Sequence, residues 1–175
     1  MPNSSPQLSL RSALFSCVGG ILFFVRSDRK LRVLFLCLGN SCRSPMAEAI
    51  ARQLAPDLWE VTSGGLTPLG YIAEPTLETL AKNNVPAEGL TSKPILHAHW
   101  QEVDFVINMS GFPKEQVFED FDKVEDWPVE DPFGADSETY QRIFEEIQTR
   151  IMDLAERLGS SNGAPIASTN PQKAE

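Results

Sequence analysis

The sequence is poor in cysteine, and its three cysteines, at positions 17, 37 and 42, follow no regular spacing. An odd, irregular set argues against the disulfide framework of a secreted protein. We therefore expect a cytoplasmic, reducing environment in which at least one cysteine is a reactive thiol. The chain also lacks a positive net charge, since its formal charge is −9, and this argues against nucleic acid as a partner.

No apolar run is long enough to cross a bilayer, which takes about 20 residues. The nearly apolar residues 13–25 have basic residues on both sides and no small-residue cleavage site after them, unlike a typical signal peptide. Three interpretations of residues 1–30 compete: a dispensable extension, which we favour, a weak membrane anchor, and translated sequence upstream of the original start. Residues 159–175 are rich in Ser, Asn, Pro and Ala and are predicted to be a disordered tail.

Residues 31–158 alternate between predicted strands and helices, which indicates a single three-layer α/β domain. The alternation predicts a four-stranded parallel sheet with helices on both faces. Strands are predicted at Leu31–Leu36, Trp59–Ser63, Asp104–Met109 and Lys123–Val129, and helices at Pro45–Ala55, Glu74–Asn84, His97–Val103, Pro113–Phe121 and Ser137–Leu158. In sheets of this kind, functional sites lie at the carboxyl ends of the strands.

The clearest chemical signal follows the first predicted strand. A loop from Cys37 to Arg43 leads into Ser44-Pro45, a pair typical of a helix start with Ser44 as the N-cap. Loop N–H groups and the positive end of the helix then converge on one point, which suits an anion. Cys37 is the candidate nucleophile because a thiol in such a field loses its proton easily. The guanidinium of Arg43 can hold two oxygens of a tetrahedral oxyanion.

The run Cys37-Leu-Gly-Asn-Ser-Cys-Arg-Ser-Pro45 resembles the phosphate loop of the low-molecular-weight protein tyrosine phosphatases. The resemblance covers about residues 31–158 and places the phosphate loop after the first strand. It implies a cofactor-free, metal-free enzyme that hydrolyses phosphotyrosine-type monoesters through a cysteinyl-phosphate. Arg43 would stabilise the transition state, and Ser44 would donate its hydroxyl to the thiolate. The substrate-binding loop would comprise Leu38, Gly39, Asn40, Ser41, Cys42 and Ser44.

Three residues of this loop have further expected roles. Gly39 and Asn40 suit a loop that turns its N–H groups inward, because Gly and Asn tolerate positive φ best. The resemblance implies that Asn40 braces the loop and that Cys42 forms a reversible disulfide with Cys37, which shields the nucleophile from over-oxidation. A packed thiol is the other interpretation of Cys42. The spacing of the two cysteines with His97 and His99 is poor for zinc.

Asp131 is the candidate general acid, because the leaving oxygen must be protonated and a carboxylic acid on a facing loop can do this. Asp131-Pro-Phe is similar to the Asp-Pro-[Tyr/Phe] loop of the family, in which the Asp acts as acid and then as base. The surrounding segment is rich in acidic residues, so charge does not single out Asp131. Asp126 and Glu130 are its rivals.

Three branches of the family share the fold. Ser41 and Trp127 favour the arsenate reductases, whereas Asp131-Pro-Phe-Gly with Tyr140 further along resembles the bacterial arginine phosphatases. Thioredoxin-linked reductases need two further cysteines, and none follows Cys42. We therefore favour a phosphatase acting on a phosphoprotein or a small phosphate. The alternatives are protein-arginine phosphatase, arsenate reductase supplied by an external thiol reductant, and a catalytically silent oxyanion-binding module.

Overall fold

The computed structural model describes residues 13–18, 21–26, 29–95, 101–119 and 121–160. His97, His99 and most of the helix predicted around them lie outside these residues, as does the predicted tail from residue 161 onward. Within the described residues, no helix is both long and apolar enough to span a bilayer. The boundaries of the domain and of its two extensions stay predictions.

The prediction of a four-stranded parallel sheet is confirmed. The strands are β1 (Ala13–Val18), β2 (Ile21–Arg26), β3 (Leu31–Cys37), β4 (Trp59–Gly65), β5 (Phe105–Asn108) and β6 (Val124–Asp126). The helices are α1 (Arg43–Leu54), α2 (Glu74–Lys82), α3 (Lys114–Val117) and α4 (Ser137–Ser160). The sheet has the strand order β4-β3-β5-β6, and β1 and β2 pair antiparallel in a second, two-stranded sheet, which the sequence had not suggested.

Strand β3 lies at the centre of the sheet and pairs in parallel with β4 and β5. Its apolar residues alternate between two cores: Val33 and Phe35 join one, and Leu34 and Leu36 join the other. A strand buried on both faces is typical of parallel sheets. The position of β3 places Cys37, its last residue, at the carboxyl edge of the sheet between two neighbouring strands.

Helices cover both faces of the sheet, as predicted. Helices α1 and α4 supply the larger core through side chains such as Ile50, Ile143 and Ile147, which are fully buried. Burial of each such side chain stabilises the fold by about 1.5–3 kcal/mol. On the opposite face, Phe118 and Val124 pack beside β3 and β5 near the short helix α3.

Several helix boundaries differ from the prediction. Helix α1 begins at Arg43, and its N-cap is Cys42 rather than Ser44. Helix α2 ends at Lys82 rather than Asn84. Helix α4 begins at Ser137, as predicted, after Asp136, whose Oδ1 accepts a hydrogen bond from the Thr139 N–H at 2.8 Å. Helix α3 has only four residues, because Phe118 adopts an extended conformation and is buried in the second core.

Candidate active site

The loop from Cys37 to Arg43 is held by the segment 66–73, which runs beside it. Because the loop carbonyls accept hydrogen bonds from this segment, the N–H groups of the loop are left to face the cavity. The four bonds, of 2.8–3.2 Å, join the N–H groups of Leu66, Thr67, Leu69 and Ala73 to the carbonyls of Cys37, Leu38, Gly39 and Ser41, respectively. This arrangement, with the N-terminus of α1 at the end of the loop, favours a bound anion.

Asn40 is the centre of the hydrogen bonds inside the loop. It is fully buried and adopts a positive φ of 43°. Its Nδ2 donates to Ser44 Oγ and to Ser63 Oγ, both at 2.9 Å, and its Oδ1 accepts from the Lys93 N–H at 2.8 Å. The prediction of a positive φ is wrong for Gly39, which does not adopt the left-handed conformation.

Cys37 receives a hydrogen bond from the residue that was expected to cap the helix. Its side chain is almost fully buried, and Ser44 Oγ donates to its Sγ at 3.0 Å. Ser44 Oγ also lies 3.2 Å from the Gly64 carbonyl oxygen. A hydroxyl has a single proton, so Ser44 donates to the sulfur or to this carbonyl at any one time. A donor at this position stabilises the thiolate form.

Arg43 lies beside Cys37 and is 4% exposed. Its Nη1 donates to the Val129 carbonyl at 3.2 Å, and its Nη2 donates to Asp131 Oδ2 at 2.5 Å. Its Nε is buried and has no hydrogen-bond partner among the residues that the structure describes. Since a buried donor without a partner costs about 1–3 kcal/mol, an oxyanion in the cavity would gain a hydrogen bond at low cost.

Among the three acidic candidates, only Asp131 reaches the site. Asp126 accepts hydrogen bonds from Asn108 Nδ2 and the Lys114 N–H, and Glu130 pairs with Arg142. Asp131 instead lines the cavity beside Arg43. The structure therefore brings together Cys37, Arg43 and Asp131, which are separated by up to 94 positions in the chain.

The loop and its surroundings enclose a cavity of about 320 Å³. Cys37, Ser41 and Arg43 are among its lining residues. Ser41 Oγ is buried and finds no hydrogen-bond partner within the described part of the chain. The mouth of the cavity is apolar, because Leu38, Leu69 and Phe133 line it and keep 39%, 43% and 56% of their surface exposed. A polar floor below an apolar mouth suits an oxyanion attached to an apolar group.

Cys42 contacts Tyr140, a residue that the sequence had singled out only for its resemblance to the arginine phosphatases. The Cys42 Sγ and the Tyr140 Oη are 3.3 Å apart, and both side chains are buried. Burial raises the pKa of the Cys42 thiol, and burial beside Cys42 likewise raises the pKa of the Tyr140 hydroxyl. Both groups therefore stay protonated at neutral pH.

Sequence reasoning missed Glu48 and Ser63, which lie behind the loop. Glu48 is 1% exposed and accepts a hydrogen bond from Ser63 Oγ. The available signal was a glutamate between the apolar residues of α1, because a buried carboxylate requires partners. One partner, Arg52, lies in α1 itself. The others, Ser63 in β4 and Lys93 in a later loop, are not identified by periodicity within α1.

The chain is similar to proteins that are already known. The profile of the family described as "Low molecular weight phosphotyrosine protein phosphatase" matches residues 32–163. A glutaredoxin arsenate reductase from Synechocystis is 30% identical over 131 residues, which cover 73% of this chain and 98% of the relative.

Two solved structures are similar as well. A low-molecular-weight protein tyrosine phosphatase from T. tengcongensis is 28% identical, with a TM-score of 0.66 over 73% of this chain and 99% of the other. The YwlE arginine phosphatase from Geobacillus stearothermophilus is 30% identical, with a TM-score of 0.66 over 75% of this chain and 94% of the other.

Proposed function

The chain belongs to the low molecular weight phosphotyrosine protein phosphatase family, and from this premise we propose that it hydrolyses phosphotyrosine-type monoesters through a cysteinyl-phosphate on Cys37. The observation that carries the proposal is the hydrogen bond of 3.0 Å from Ser44 Oγ to Cys37 Sγ, in a cavity that Arg43 also lines. A thiolate stabilised in this way is a nucleophile beside a cation that binds its target.

In the first step, Cys37 Sγ attacks phosphorus, the S–P bond forms and the P–O ester bond breaks. Arg43 binds phosphoryl oxygens, and its unpartnered Nε supplies a hydrogen bond to the developing charge. Asp131 gives its proton to the leaving oxygen. In the second step, Asp131 takes a proton from water, the water oxygen attacks phosphorus, and the S–P bond breaks to release phosphate. Loop N–H groups from Leu38 to Ser44 hold the oxyanion in both steps.

The mouth of the cavity supports an aryl ester as the substrate. Leu38, Leu69 and Phe133 offer exposed apolar surface around the cavity, against which the ring of a phosphotyrosine would pack. Among the residues that line the cavity, Asp131 is the only carboxylate, and its Oδ2 already pairs with Arg43. A guanidinium, as in phosphoarginine, would therefore find little compensating charge.

Arsenate reduction is the second candidate function, and Ser41 is the observation that favours it. The buried hydroxyl of Ser41 has no partner and suits a small tetrahedral oxyanion that fills the floor of the cavity. Reduction requires resolving thiols, and no cysteine follows Cys42, so the electrons would come from an external thiol. The relative from Synechocystis is named a glutaredoxin arsenate reductase, which agrees with such a donor.

We also propose that Cys37 and Cys42 form a reversible disulfide that protects the nucleophile, in keeping with a reducing, cytoplasmic location. Cys42 lies in the same loop, and because its raised pKa keeps its thiol protonated at neutral pH, Cys37 rather than Cys42 is the thiol that is oxidised first. A peroxide would oxidise Cys37 to the sulfenic acid. The Cys42 sulfur would then attack the Cys37 sulfur, the S–O bond would break with loss of water, and the S–S bond would form.

The test is hydrolysis of p-nitrophenyl phosphate by the wild type and by Cys37→Ser, with Cys17→Ser as the cysteine control. We expect Cys37→Ser to abolish turnover while inorganic phosphate still binds in calorimetry, and Cys17→Ser to retain activity. Unchanged turnover in Cys37→Ser would refute the assignment of the nucleophile. Parallel assays of phosphotyrosine hydrolysis, of phosphoarginine hydrolysis and of arsenate reduction with several thiol donors then identify the substrate class.

A further inference from the structure

Tyr140 is a buried residue that the proposed reaction does not use. It lies near the start of α4, its side chain is almost fully buried, and its ring belongs to the larger core. Its hydroxyl oxygen lies 3.3 Å from the Cys42 sulfur, and either group can donate the hydrogen bond. Within the part of the chain that the structure describes, this hydroxyl has no other hydrogen-bond partner. Because buried polar groups are nearly always hydrogen-bonded, the state of Cys42 decides whether the Tyr140 hydroxyl is satisfied.

The backbone around Cys42 is already engaged in other hydrogen bonds. The Ser41 carbonyl accepts from the Ala73 N–H and from Thr76 Oγ1, each at 3.1 Å, and a carbonyl oxygen has only two lone pairs. The Cys42 carbonyl accepts the Met46 N–H at 3.1 Å in the first turn of α1. Neither carbonyl is therefore a ready substitute for the Cys42 thiol as the partner of the buried hydroxyl.

Oxidation removes the thiol to which Tyr140 is bonded. Both Cys37 and Cys42 are free thiols in this structure, so the contacts described are those of the reduced pair. When the sulfenic acid of Cys37 condenses with Cys42, the S–O bond breaks, the S–S bond forms and the Cys42 proton leaves in water. Cys42 then has no S–H group to donate, and its sulfur is only a weak acceptor. The disulfide therefore leaves the Tyr140 hydroxyl buried without a good partner, which costs free energy.

We propose that Tyr140 is a positioning residue for Cys42 which favours the reduced form of the Cys37–Cys42 pair and makes the protective disulfide easy to reverse. The proposal rests on the disulfide of the proposed function. In the reduced pair the hydroxyl and the thiol satisfy each other, and in the disulfide the hydroxyl loses this partner. Tyr140 is not among the residues that line the cavity, so its effect is on the redox state of the site and not on the hydrolysis step.

Tyr140→Phe removes the hydroxyl and keeps the ring that packs in the core. The reduced form of the variant loses only a hydrogen bond to a thiol, and the oxidised form no longer carries an unsatisfied hydroxyl. Both changes favour the disulfide over the two thiols. We expect the equilibrium constant for reduction of the disulfide to fall about tenfold, which is a shift of the reduction potential by about 30 mV to more negative values.

The experiment is a redox titration of the wild type and of Tyr140→Phe in mixtures of reduced and oxidised dithiothreitol. Reduction transfers two electrons and two protons from dithiothreitol, which closes to its cyclic disulfide, to the Cys37–Cys42 disulfide. After acid quenching and alkylation with N-ethylmaleimide, mass spectrometry of the tryptic peptide 33–43, which contains both cysteines, separates the alkylated dithiol from the disulfide.

Tyr71→Phe is the matched control, because Tyr71 is the second of the two tyrosines in the chain. Its side chain is 54% exposed, so its hydroxyl is satisfied by water in both redox states. We expect the equilibrium constant of this variant to equal that of the wild type. A shift in Tyr71→Phe as large as the shift in Tyr140→Phe would contradict a specific role of the buried hydroxyl.

A second measurement uses the wild type and does not depend on the folding of Tyr140→Phe. In protein labelled with 3-fluorotyrosine, the ¹⁹F NMR resonance of Tyr140, assigned by its presence in Tyr71→Phe, should shift when the disulfide forms, and that of Tyr71 should not. An unshifted Tyr140 resonance would overturn the proposal.

Equal equilibrium constants in the wild type and a folded Tyr140→Phe, or a less stable disulfide in the variant, would overturn the role of Tyr140 alone. A wild type that forms no disulfide between Cys37 and Cys42 under any mixture would refute the proposed disulfide, and this role with it. The titration uses no phosphate ester. Failure of the wild type to hydrolyse such esters would therefore refute the proposed hydrolysis and leave the redox test intact.

Discussion

Gly65 lies outside the phosphate loop, yet we expect Gly65→Ala to disable it. A Cβ atom at this last residue of β4 would lie 2.8 Å from the Leu38 carbonyl oxygen and 2.9 Å from the N and Cβ atoms of Asn40. Cβ atoms essentially never lie within 3.0 Å of such atoms, and the optimal separation of two carbon atoms is about 3.5–4.0 Å. Since two of the three contacts are with backbone atoms, the loop itself must move by roughly 0.5–1 Å.

A displacement of this size affects activity more than stability. A misplacement of about 1 Å at a catalytic site costs about 10²-fold in rate, which corresponds to about 2.7 kcal/mol of lost transition-state stabilisation. The steric strain itself should lower the free energy of unfolding by about 1–3 kcal/mol. We expect kcat/KM for p-nitrophenyl phosphate to fall about 10²-fold in a protein that still unfolds cooperatively.

Gly39→Ala provides the comparison, because Gly39 is in the loop itself. Its added Cβ would lie 3.2 Å from the Cγ atom of Leu69, a flexible side chain at the mouth of the cavity that can shift. We expect a smaller loss of kcat/KM for Gly39→Ala than for Gly65→Ala, measured beside urea unfolding of both variants. Equal losses, or full activity in Gly65→Ala, would contradict the argument that close backbone contact with β4 positions the loop.

Two further predictions concern Asp131 and Cys42. Asp131→Asn should slow hydrolysis of aryl phosphates with poor leaving groups by about 10²–10⁴-fold and slow hydrolysis of p-nitrophenyl phosphate less. Inhibition by phosphate should become tighter, because Arg43 Nη2 loses its ion pair. An equal loss of rate for all leaving groups in a series of aryl phosphates would contradict the role of Asp131 as general acid. Burial raises the pKa of the Cys42 thiol above its ordinary value of 9.0. As the pH rises past 9, the unfolded chain therefore releases this proton before the folded chain does. The stability that the buried thiol contributes is present below pH 9 and is lost as the pH rises further. Between pH 8 and pH 10, the free energy of unfolding in urea should therefore fall less for Cys42→Ala than for the wild type. An identical fall in both proteins would contradict this contribution of the Cys42 thiol.

Much of the site could be predicted from sequence because its signals are local. The apolar run before Cys37 and the helix pattern after Arg43 place the loop between a strand and a helix. The exact start of α1 could not be predicted, because Ser44 has a side chain suited to capping. Its hydroxyl instead bonds to Cys37, a partner seven residues earlier in the chain.

Residues of the site that depend on long-range contacts could not be predicted. Glu48 and Ser63 meet only after β4 pairs with β3 and α1 packs on the sheet. Gly39 was expected to supply a positive φ, but Asn40 alone of the two adopts it. The contact between Cys42 and Tyr140 joins residues 98 positions apart, and no local pattern of the sequence identifies it.

The most direct test of the central claim is the identification of the phosphorylated atom during turnover. Asp131→Asn should accumulate the intermediate, since it lacks the base that activates water for the second step. After rapid quenching with p-nitrophenyl phosphate, ³¹P NMR and mass spectrometry should place one phosphoryl group on the sulfur of Cys37. A phosphoryl group on any other residue, or turnover with no phosphorylated enzyme in either the variant or the wild type, would contradict the account.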